Sequence, residues 1–315
     1  MPAKKYEFVP NDMRVFDGVK LRRIRAIIDI AGAIPAGALG GYIQSESNLS
    51  HSGDCWVLPN AKVYDNARVE DSAWVGEHAV VCGDAKIHGF ALVSEYARIF
   101  GDAEVSGRAQ VLGRSVVRDR ATVGGFSKVC DESVVRDSCR VFDNAKIYGR
   151  ATIAGLARIG GFADIYDASI VENAAVAGNA TVRGGDVVIR GYSLVADRAL
   201  VCDSAYIYDS AMILGDAQVY QCATVGQNAI VEGFARVYGS AIVNGHAYVG
   251  ENAFIMDNSY VGGFARITGN SNLTGNDRFE GKEHIQTRGT PRGNAARSMF
   301  CLAQRMPASH QSTPN

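Results

Sequence analysis

The sequence lacks a disulfide framework, a membrane-spanning run and an imbalance of charge. Its seven cysteines are odd in number and form no CxxC pair, which argues against a disulfide scaffold or a zinc site. No apolar run approaches the roughly 18 residues of a membrane helix, and the start has no signal-peptide core. The net charge of -1 gives no footprint for nucleic acid or anionic membranes. We expect a soluble, cytoplasmic protein.

What the sequence has instead is a strict period of six residues. Stepping by six from Val57 to Leu273 samples 37 positions, and 35 of them hold Val, Ile or Leu; the exceptions are Ala177 and Arg183. A second column with the same period, from Ala61 to Ser271, is almost entirely Ala or Ser. Chance does not produce such columns. A fixed period of six is typical of a parallel β-helix.

The repeat unit predicts the shape of one coil. In AKVYDN, residues 61–66, alternate strand residues face opposite sides, so Val63 points inward while Lys62 and Tyr64 point outward. The fifth position is Gly, Asp, Asn or Glu in 34 of 36 units, which suits the positive φ of a tight corner. Three units of six close a triangular coil of 18 residues. The fold class is therefore all-β, a single-stranded parallel β-helix of about 12 coils.

The extent of the repeat divides the chain into three regions. Residues 1–50 are predicted to form a hairpin and cap with a turn at Asp17 and Gly18. Residues 51–275 form the β-helix, whose open strand edges need caps. Residues 276–315 are predicted to form a second cap, with a short helix over 294–306 and a disordered tail.

The period slips once. The spacing is five from Val171 to Val176, six to Val182 and seven to Ile189, so the phase is restored. We interpret this segment as a local bulge that places the two exceptional residues, Ala177 and Arg183, off the core.

Two features of the sequence carry a resemblance. The hexads resemble those of the hexapeptide-repeat acyltransferase superfamily, which folds as a left-handed parallel β-helix; the left-handed sense is implied by this resemblance alone. The segment GALGGYIQSESNLSHSGDCWV, residues 37–57, running into the NAKV and NARV units, is similar to the repeat entry of the YdcK family of uncharacterised acetyltransferase-like proteins. The resemblance covers roughly residues 20–275. It implies acetyl-CoA or another acyl-CoA as co-substrate, and homotrimers as the usual assembly.

Stacking makes residues 18 apart neighbours and so defines surface columns. One column reads Glu70, His88, Ser106, and the parallel column on the same face reads Arg68, Lys86, Glu104. A His oriented by a carboxylate can deprotonate an acceptor hydroxyl or amine. We therefore expect His88 as the base, Glu70 as its orienting partner and Ser106 beside them. Arg68 and Lys86 are the candidate ligands for coenzyme A phosphates; the alternative is a solvated face with ordinary charge pairs.

Other candidate residues lie elsewhere on the surface. His246, stacked between Asn228 and Phe264 at a corner, is the runner-up base. The six histidines show no spacing that suits a metal, so no metal site is expected. Two outward stripes of β-branched and aromatic residues predict self-association: Val116, Val134, Thr152, Ile170, Val188, Tyr206, Thr224, Ile242 and Tyr260 in one, and Leu112, Cys130, Tyr148, Tyr166, Cys202, Tyr220, Tyr238 and Met256 in the other.

Two functions stay open at this point. The first is transfer of an acyl group from acyl-CoA to a hydroxyl or amine of a small acceptor, at a site between subunits. The second is a non-catalytic scaffold, assembly or binding rod. About 210 residues run without the protruding loop that helps to enclose the acyl donor in the known acyltransferases, and this favours the second function. The family resemblance favours the first, which is the function we predict.

Overall fold

The computed structural model describes residues 3–287, and this part of the chain is almost entirely β. Three strands precede the repeat: β1 (Tyr6–Phe16), β2 (Val19–Ala26) and β3 (Leu39–Ile43), followed by a single 3-10 turn at Glu46–Asn48. From Trp56 onward each hexad contributes one strand of two to four residues. The helix predicted over 294–306 and the predicted tail lie outside the described residues.

The repeat strands form three parallel sheets, which we call A, B and C in the order in which the chain visits them, each with an outward face of the same letter. Sheet A consists of Trp56–Val57, Trp74–Val75, Leu92–Val93, Gln110–Val111, Lys128–Val129, Lys146–Tyr148, Asp164–Tyr166, Thr181–Arg183, Leu200–Cys202, Gln218–Val219, Arg236–Val237, Phe254–Ile255 and Asn272–Leu273. Sheet B begins with β1, β2 and β3, which pair antiparallel with one another. It continues with the parallel strands Lys62–Val63, Val80–Val81, Arg98–Ile99, Val116–Val117, Val134–Val135, Thr152–Ile153, Ser169–Ile170, Val188–Ile189, Tyr206–Ile207, Thr224–Val225, Ile242–Val243, Tyr260–Val261 and Arg278–Phe279. Sheet C consists of Arg68–Val69, Lys86–Ile87, Glu104–Val105, Thr122–Val123, Arg140–Val141, Arg158–Ile159, Ala175–Val176, Leu194–Val195, Met212–Ile213, Ile230–Val231, Tyr248–Val249, Arg266–Gly269 and His284–Thr287.

The predicted all-β parallel β-helix is confirmed. Coils stack with the 18-residue spacing, as in the pairing of Lys62 with Val80, and the repeat aliphatic residues such as Val63 and Val81 are fully buried. The solenoid has about 14 turns rather than the expected 12. The difference arises because the ladders extend past the aliphatic column, to Tyr42 before Lys62 at one end and to the strand His284–Thr287 at the other.

The corners are tied from coil to coil by side chains. The fifth residue of the hexad takes a left-handed conformation, with φ of 56° at Asp65 and 68° at Gly83. Where this residue is Asp, Glu or Gln, its side chain can accept a hydrogen bond from the backbone N–H of the corresponding residue in the next coil. Asp65 accepts from Gly83 at 3.2 Å, and Asp131 from Gly149 at 2.9 Å. A corner carboxylate therefore adds one hydrogen bond between successive coils at a position beyond the ends of the strands.

The N-terminal segment covers the open end of the first coil. Tyr6 is buried there, and its hydroxyl donates to the carbonyl of Leu49 at 2.9 Å. Asn48 is fully buried, and its amide donates to the carbonyls of Asp65 at 3.0 Å and Ala67 at 2.8 Å. Side-chain donors thus satisfy carbonyls that have no preceding coil, as buried polar groups require.

The slip in the period begins one unit earlier than predicted. Ile165 is followed in the core by Ile170, five residues on, and both side chains are fully buried, whereas Val171 is partly exposed. The prediction that Val171 belongs to the core was wrong. The turn at Asp167 is one residue shorter than the others, so Ala168 takes the small corner position.

The compensating long step, from Val182 to Ile189, lies at a widened corner. Gly184 has a φ of 131° in this corner, and Arg183 is exposed while Ala177 is partly exposed. Both exceptional residues of the aliphatic column therefore lie off the core. Arg183 extends the outward column of face A, where it pairs in register with Tyr166 and Cys202.

The corner hydrogen bonds give a prediction for stability. We expect Asp131→Ala to lower the thermal midpoint of unfolding by about 2–5 °C, because Ala removes the acceptor for Gly149 and disfavours the left-handed backbone. Asp131→Asn keeps an acceptor oxygen and tolerates this backbone, so it is the matched control and should stay close to wild type. Circular dichroism melts check both, and an Ala variant that unfolds at the wild-type midpoint would contradict a structural role for this hydrogen bond.

Candidate functional site

The backbone brings the predicted columns together on face C. Arg68, Lys86 and Glu104 pair in register on successive coils. The N–H of His88 donates to the carbonyl of Val105 at 3.0 Å, which fixes His88 one coil below Ser106. The neighbour relations expected from the 18-residue step therefore hold for the main chain.

The side-chain partner of His88 is not the expected one. Its Nε2 lies 2.8 Å from Oε1 of Glu104, and its Nδ1 lies 3.8 Å from Oδ2 of Asp71. Within residues 3–287, Glu70 makes no side-chain hydrogen bond or ion pair, so the predicted pairing of Glu70 with His88 is corrected to Glu104. Long side chains on adjacent strands can contact diagonal neighbours as well as direct ones. The imidazole of His88 therefore reaches Glu104, which lies one coil on in the neighbouring column.

The pairing leaves His88 able to act as a base. Its side chain is 34% exposed, at the edge between face C and the corner that carries Asp71. If Nε2 donates to Glu104, Nδ1 keeps its lone pair, and 3.8 Å from Asp71 is too long for a hydrogen bond. Ser106, which was expected beside His88, makes no side-chain hydrogen bond in the described part of the chain. The arrangement is a carboxylate–imidazole pair on an open surface.

A groove of about 640 Å³ runs beside this pair. It is lined by Ser47, Asn66, Arg68, Asp84, Lys86, Asp102 and Glu104. Arg68 and Lys86, the candidate ligands for coenzyme A phosphates, do share this groove. However, three carboxylates line it against two cations, so its electrostatic field does not favour a polyanion. The residues therefore fit coenzyme A phosphates poorly at this position.

A second groove lies farther along face C. Its volume is about 420 Å³, and Thr122, Gly124, Arg140, Val141, Phe142 and Arg158 line it. This groove was not predicted from the sequence, because a catalytic base was sought among the histidines and none of them lines the groove. The signal was present, since the column Arg68, Lys86, Glu104 continues in steps of 18 to Thr122, Arg140 and then Arg158.

His246, the runner-up base, lies at a corner and packs against an aromatic ring. Its ring stacks on Phe264 with centroids 4.9 Å apart and planes 4° apart. Among the residues that the structure covers, no carboxylate forms an ion pair with it. His246 therefore lacks the orienting acid that His88 has.

Both predicted stripes are present as outward columns, but Arg183 lies between Tyr166 and Cys202 on face A and one member of face B differs. Ser169 takes the outward position of face B between Thr152 and Val188, and Ile170, which was predicted there, is buried in the core. This correction follows from the early slip. On face A, Tyr220 stacks on Tyr238 with centroids 4.9 Å apart. From Val116 on, the outward column of face B consists of Val116, Val134, Thr152, Ser169, Val188, Tyr206, Thr224, Ile242 and Tyr260.

A buried lysine and cysteine lie under the N-terminal cap. Lys5 is 1% exposed, and its ammonium group donates to the carbonyls of Gly53 at 3.0 Å and Cys55 at 2.8 Å, while its Nζ lies 3.1 Å from the Cys55 sulfur. Burial raises the pKa of the Cys55 thiol, and Lys5 acts in the opposite direction. Because the carbonyls satisfy the ammonium and the thiol is sealed, this pair fastens the first strand to the solenoid.

The six cysteines within residues 3–287 are all free. The same residues contain no group of three or more His, Cys, Asp or Glu placed to hold a metal ion. They also contain no helix of the length and apolar character needed to cross a membrane.

The fold and the repeat define this chain as a β-solenoid repeat protein. A family model described as the YdcK beta solenoid repeat matches residues 61–77. No curated protein matches the chain. The family match thus agrees with the solenoid and reaches only one coil of it.

Burial of the cysteines gives a prediction for thiol chemistry. Burial raises the pKa of Cys139 to about 12, whereas Cys222 is exposed. We expect iodoacetamide at pH 8 to modify Cys222 on the order of a hundredfold faster than Cys139 in the native protein, because the thiolate is the reactive form. Peptide-resolved mass spectrometry checks this, with the urea-unfolded protein as control. Equal native rates would show that Cys139 is not sealed in the core.

Proposed function

We propose that this chain is a rod that associates with copies of itself, as a homotrimer, and serves as a scaffold or binding surface. The outward column of face B carries this proposal. From Val116 to Tyr260 it presents eight β-branched or aromatic side chains and Ser169 over nine successive coils, about 38 Å at the usual strand spacing. An uncharged stripe of this length, rich in β-branched and aromatic side chains, is typical of an interface.

Charge favours a second copy as the occupant of this stripe. The net charge of -1 on 315 residues leaves little repulsion between copies, and near-zero net charge promotes association. At the N-terminal end of the stripe, Arg118 and Arg136 on the same face pair with Asp119 at 3.2 Å and Asp137 at 3.0 Å. The stripe is thus bordered by neutralised charges. The number three comes from the resemblance to hexapeptide-repeat proteins, and the free cysteines suit a cytoplasmic location.

A matched pair of isoleucines tests the assembly. Ile242 is 38% exposed in the face B column, and Ile230 is a partly exposed residue of the same type on face C. We expect sedimentation velocity to show a trimer for wild type, a monomer for Ile242→Asp and a trimer for Ile230→Asp, because a buried unpaired carboxylate is costly only at the interface.

Two results would contradict the proposal. One is a wild-type protein that sediments as a monomer at every concentration tested. The other is a trimer that Ile242→Asp leaves intact. Circular dichroism of each variant establishes that its fold is retained, so loss of assembly is not confused with unfolding.

A second candidate function is acyl transfer from acyl-CoA to a hydroxyl or amine, and the pairing of His88 with Glu104 at 2.8 Å favours it. In this function His88 takes the proton from the acceptor and Glu104 holds the imidazole in position. It stands second because the groove beside the pair is lined by more carboxylates than cations. The proposed trimer and this activity are compatible.

Substitution of Glu104 and of Glu70 tests which glutamate positions His88 for acyl transfer. With acetyl-CoA and a panel of small hydroxyl and amine acceptors, we expect Glu104→Gln to reduce release of free coenzyme A by about tenfold or more, since His88 loses its orienting carboxylate. Glu70→Gln is the matched control and should retain wild-type turnover. Absence of turnover in wild type, or equal turnover in wild type and Glu104→Gln, would remove this candidate.

A further inference from the structure

The second groove of face C holds two like charges that the protein does not neutralise. Arg140 and Arg158 pair in register on adjacent coils, so their side chains leave the sheet about 4.8 Å apart. Both are exposed, and neither makes a side-chain hydrogen bond, ion pair or ring contact within residues 3–287. Like charges directly opposite each other on a sheet are destabilising. An anion between them would relieve this repulsion.

The nearby acids are already engaged. Glu104, the carboxylate of the same column, lies two coils below Arg140 and is bonded to His88. Asp143, at the adjoining corner, accepts the N–H of Gly161 at 2.9 Å. The two guanidinium groups therefore face solvent with no acid of the groove turned toward them. This sets them apart from Arg68 and Lys86 in the first groove.

The floor of the groove is bare at one point. Four other outward-facing glycines of the solenoid are covered by an aromatic ring, Gly160 by Phe142, Gly226 by Tyr208, Gly250 by Tyr248 and Gly262 by Tyr260, and Gly76 lies against the side chains of Ser94 and Leu58. Gly124 is different, because a Cβ added there would meet only the Ser106 hydroxyl, at 3.3 Å. A patch of open backbone thus lies beside Phe142. A planar ring can pack on this patch as the Phe and Tyr rings pack on the four covered glycines.

We propose that this groove binds a phosphate monoester that carries a planar ring, of the size of a mononucleotide. The phosphate lies between Arg140 and Arg158, and the ring lies over Gly124 against Phe142, which is 40% exposed. Two guanidinium groups match the charge of a phosphate dianion better than that of a single carboxylate, and arginine binds phosphate in bidentate fashion. The volume of about 420 Å³ falls within the range of small-molecule sites.

Calorimetry with three probes tests the two halves of the site. We expect adenosine monophosphate to bind wild type, and inorganic phosphate and adenosine to bind at least about tenfold more weakly, because each supplies only one half of the contacts. The double variant Arg140→Gln, Arg158→Gln should weaken binding of adenosine monophosphate by about tenfold or more, since it removes charge-assisted hydrogen bonds. Higher salt should weaken binding to wild type as well.

Two further variants serve as control and second test. Arg150→Gln removes one exposed arginine that lies at a corner outside this groove and should leave the affinity unchanged. Gly124→Leu fills the bare floor at a position whose backbone accepts any residue; it should weaken binding of adenosine monophosphate and leave the affinity for phosphate unchanged.

Three outcomes would overturn the proposal: no binding of adenosine monophosphate to wild type, unchanged affinity in the double arginine variant, or phosphate alone binding as tightly as the mononucleotide. Because the groove is on face C and the assembly stripe is on face B, failure here leaves the test with Ile242 unaffected. Thermal melts of each variant show whether the solenoid is intact.

Discussion

The backbone ladder that joins each residue to the one 18 positions later is the constraint on which the rest of this molecule depends. It fixes Lys86 between Arg68 and Glu104, and it places every outward side chain at a set distance from two others. The inward Val and Ile residues stabilise the ladder through burial, and the left-handed corners let it close into a triangle. Because no long loop interrupts the described repeat, the surface is a grid of columns, and any site on it must be assembled from that grid.

At the corners, the choice of residue lets successive coils approach closely and also stabilises their contact. A Cβ on Gly83 would lie 2.9 Å from the backbone nitrogen of Gly101, so successive glycines at a corner allow the coils to come together. An Asp at the same place instead reaches up to the next coil, as Asp131 does to Gly149. Both residue types tolerate the positive φ of the corner. Glycine permits the close approach of successive coils, and aspartate adds a hydrogen bond between them. The alternation of Gly and Asp along a corner is therefore a structural pattern and not a catalytic motif.

The part of the structure that sequence periodicity can predict is the part that the ladder determines. Inward and outward positions, the parallel sheets and the stacking of Glu70, His88 and Ser106 follow from counting residues. The partner of His88 does not, because a step of 18 identifies backbone neighbours while a long side chain chooses among diagonal ones as well. The slip was misplaced by one unit for a related reason. Ile170 and Val171 are adjacent and both aliphatic, so their chemistry does not say which one enters the core; the length of the turn at Asp167 decides it.

On a regular grid, function is indicated where a column departs from the rule that its neighbours obey. Most charged residues on this solenoid are paired or stacked, as Arg198 is with Asp216 at 2.6 Å, and most outward glycines lie beneath a ring. Arg140 and Arg158 depart from the first rule and Gly124 from the second, and the ladder brings these departures into one groove. The stripe on face B departs in another way, since its nine outward residues are all uncharged and eight of them are β-branched or aromatic. Two kinds of departure on two faces are consistent with a rod that joins copies of itself along one side and remains open to a ligand along another.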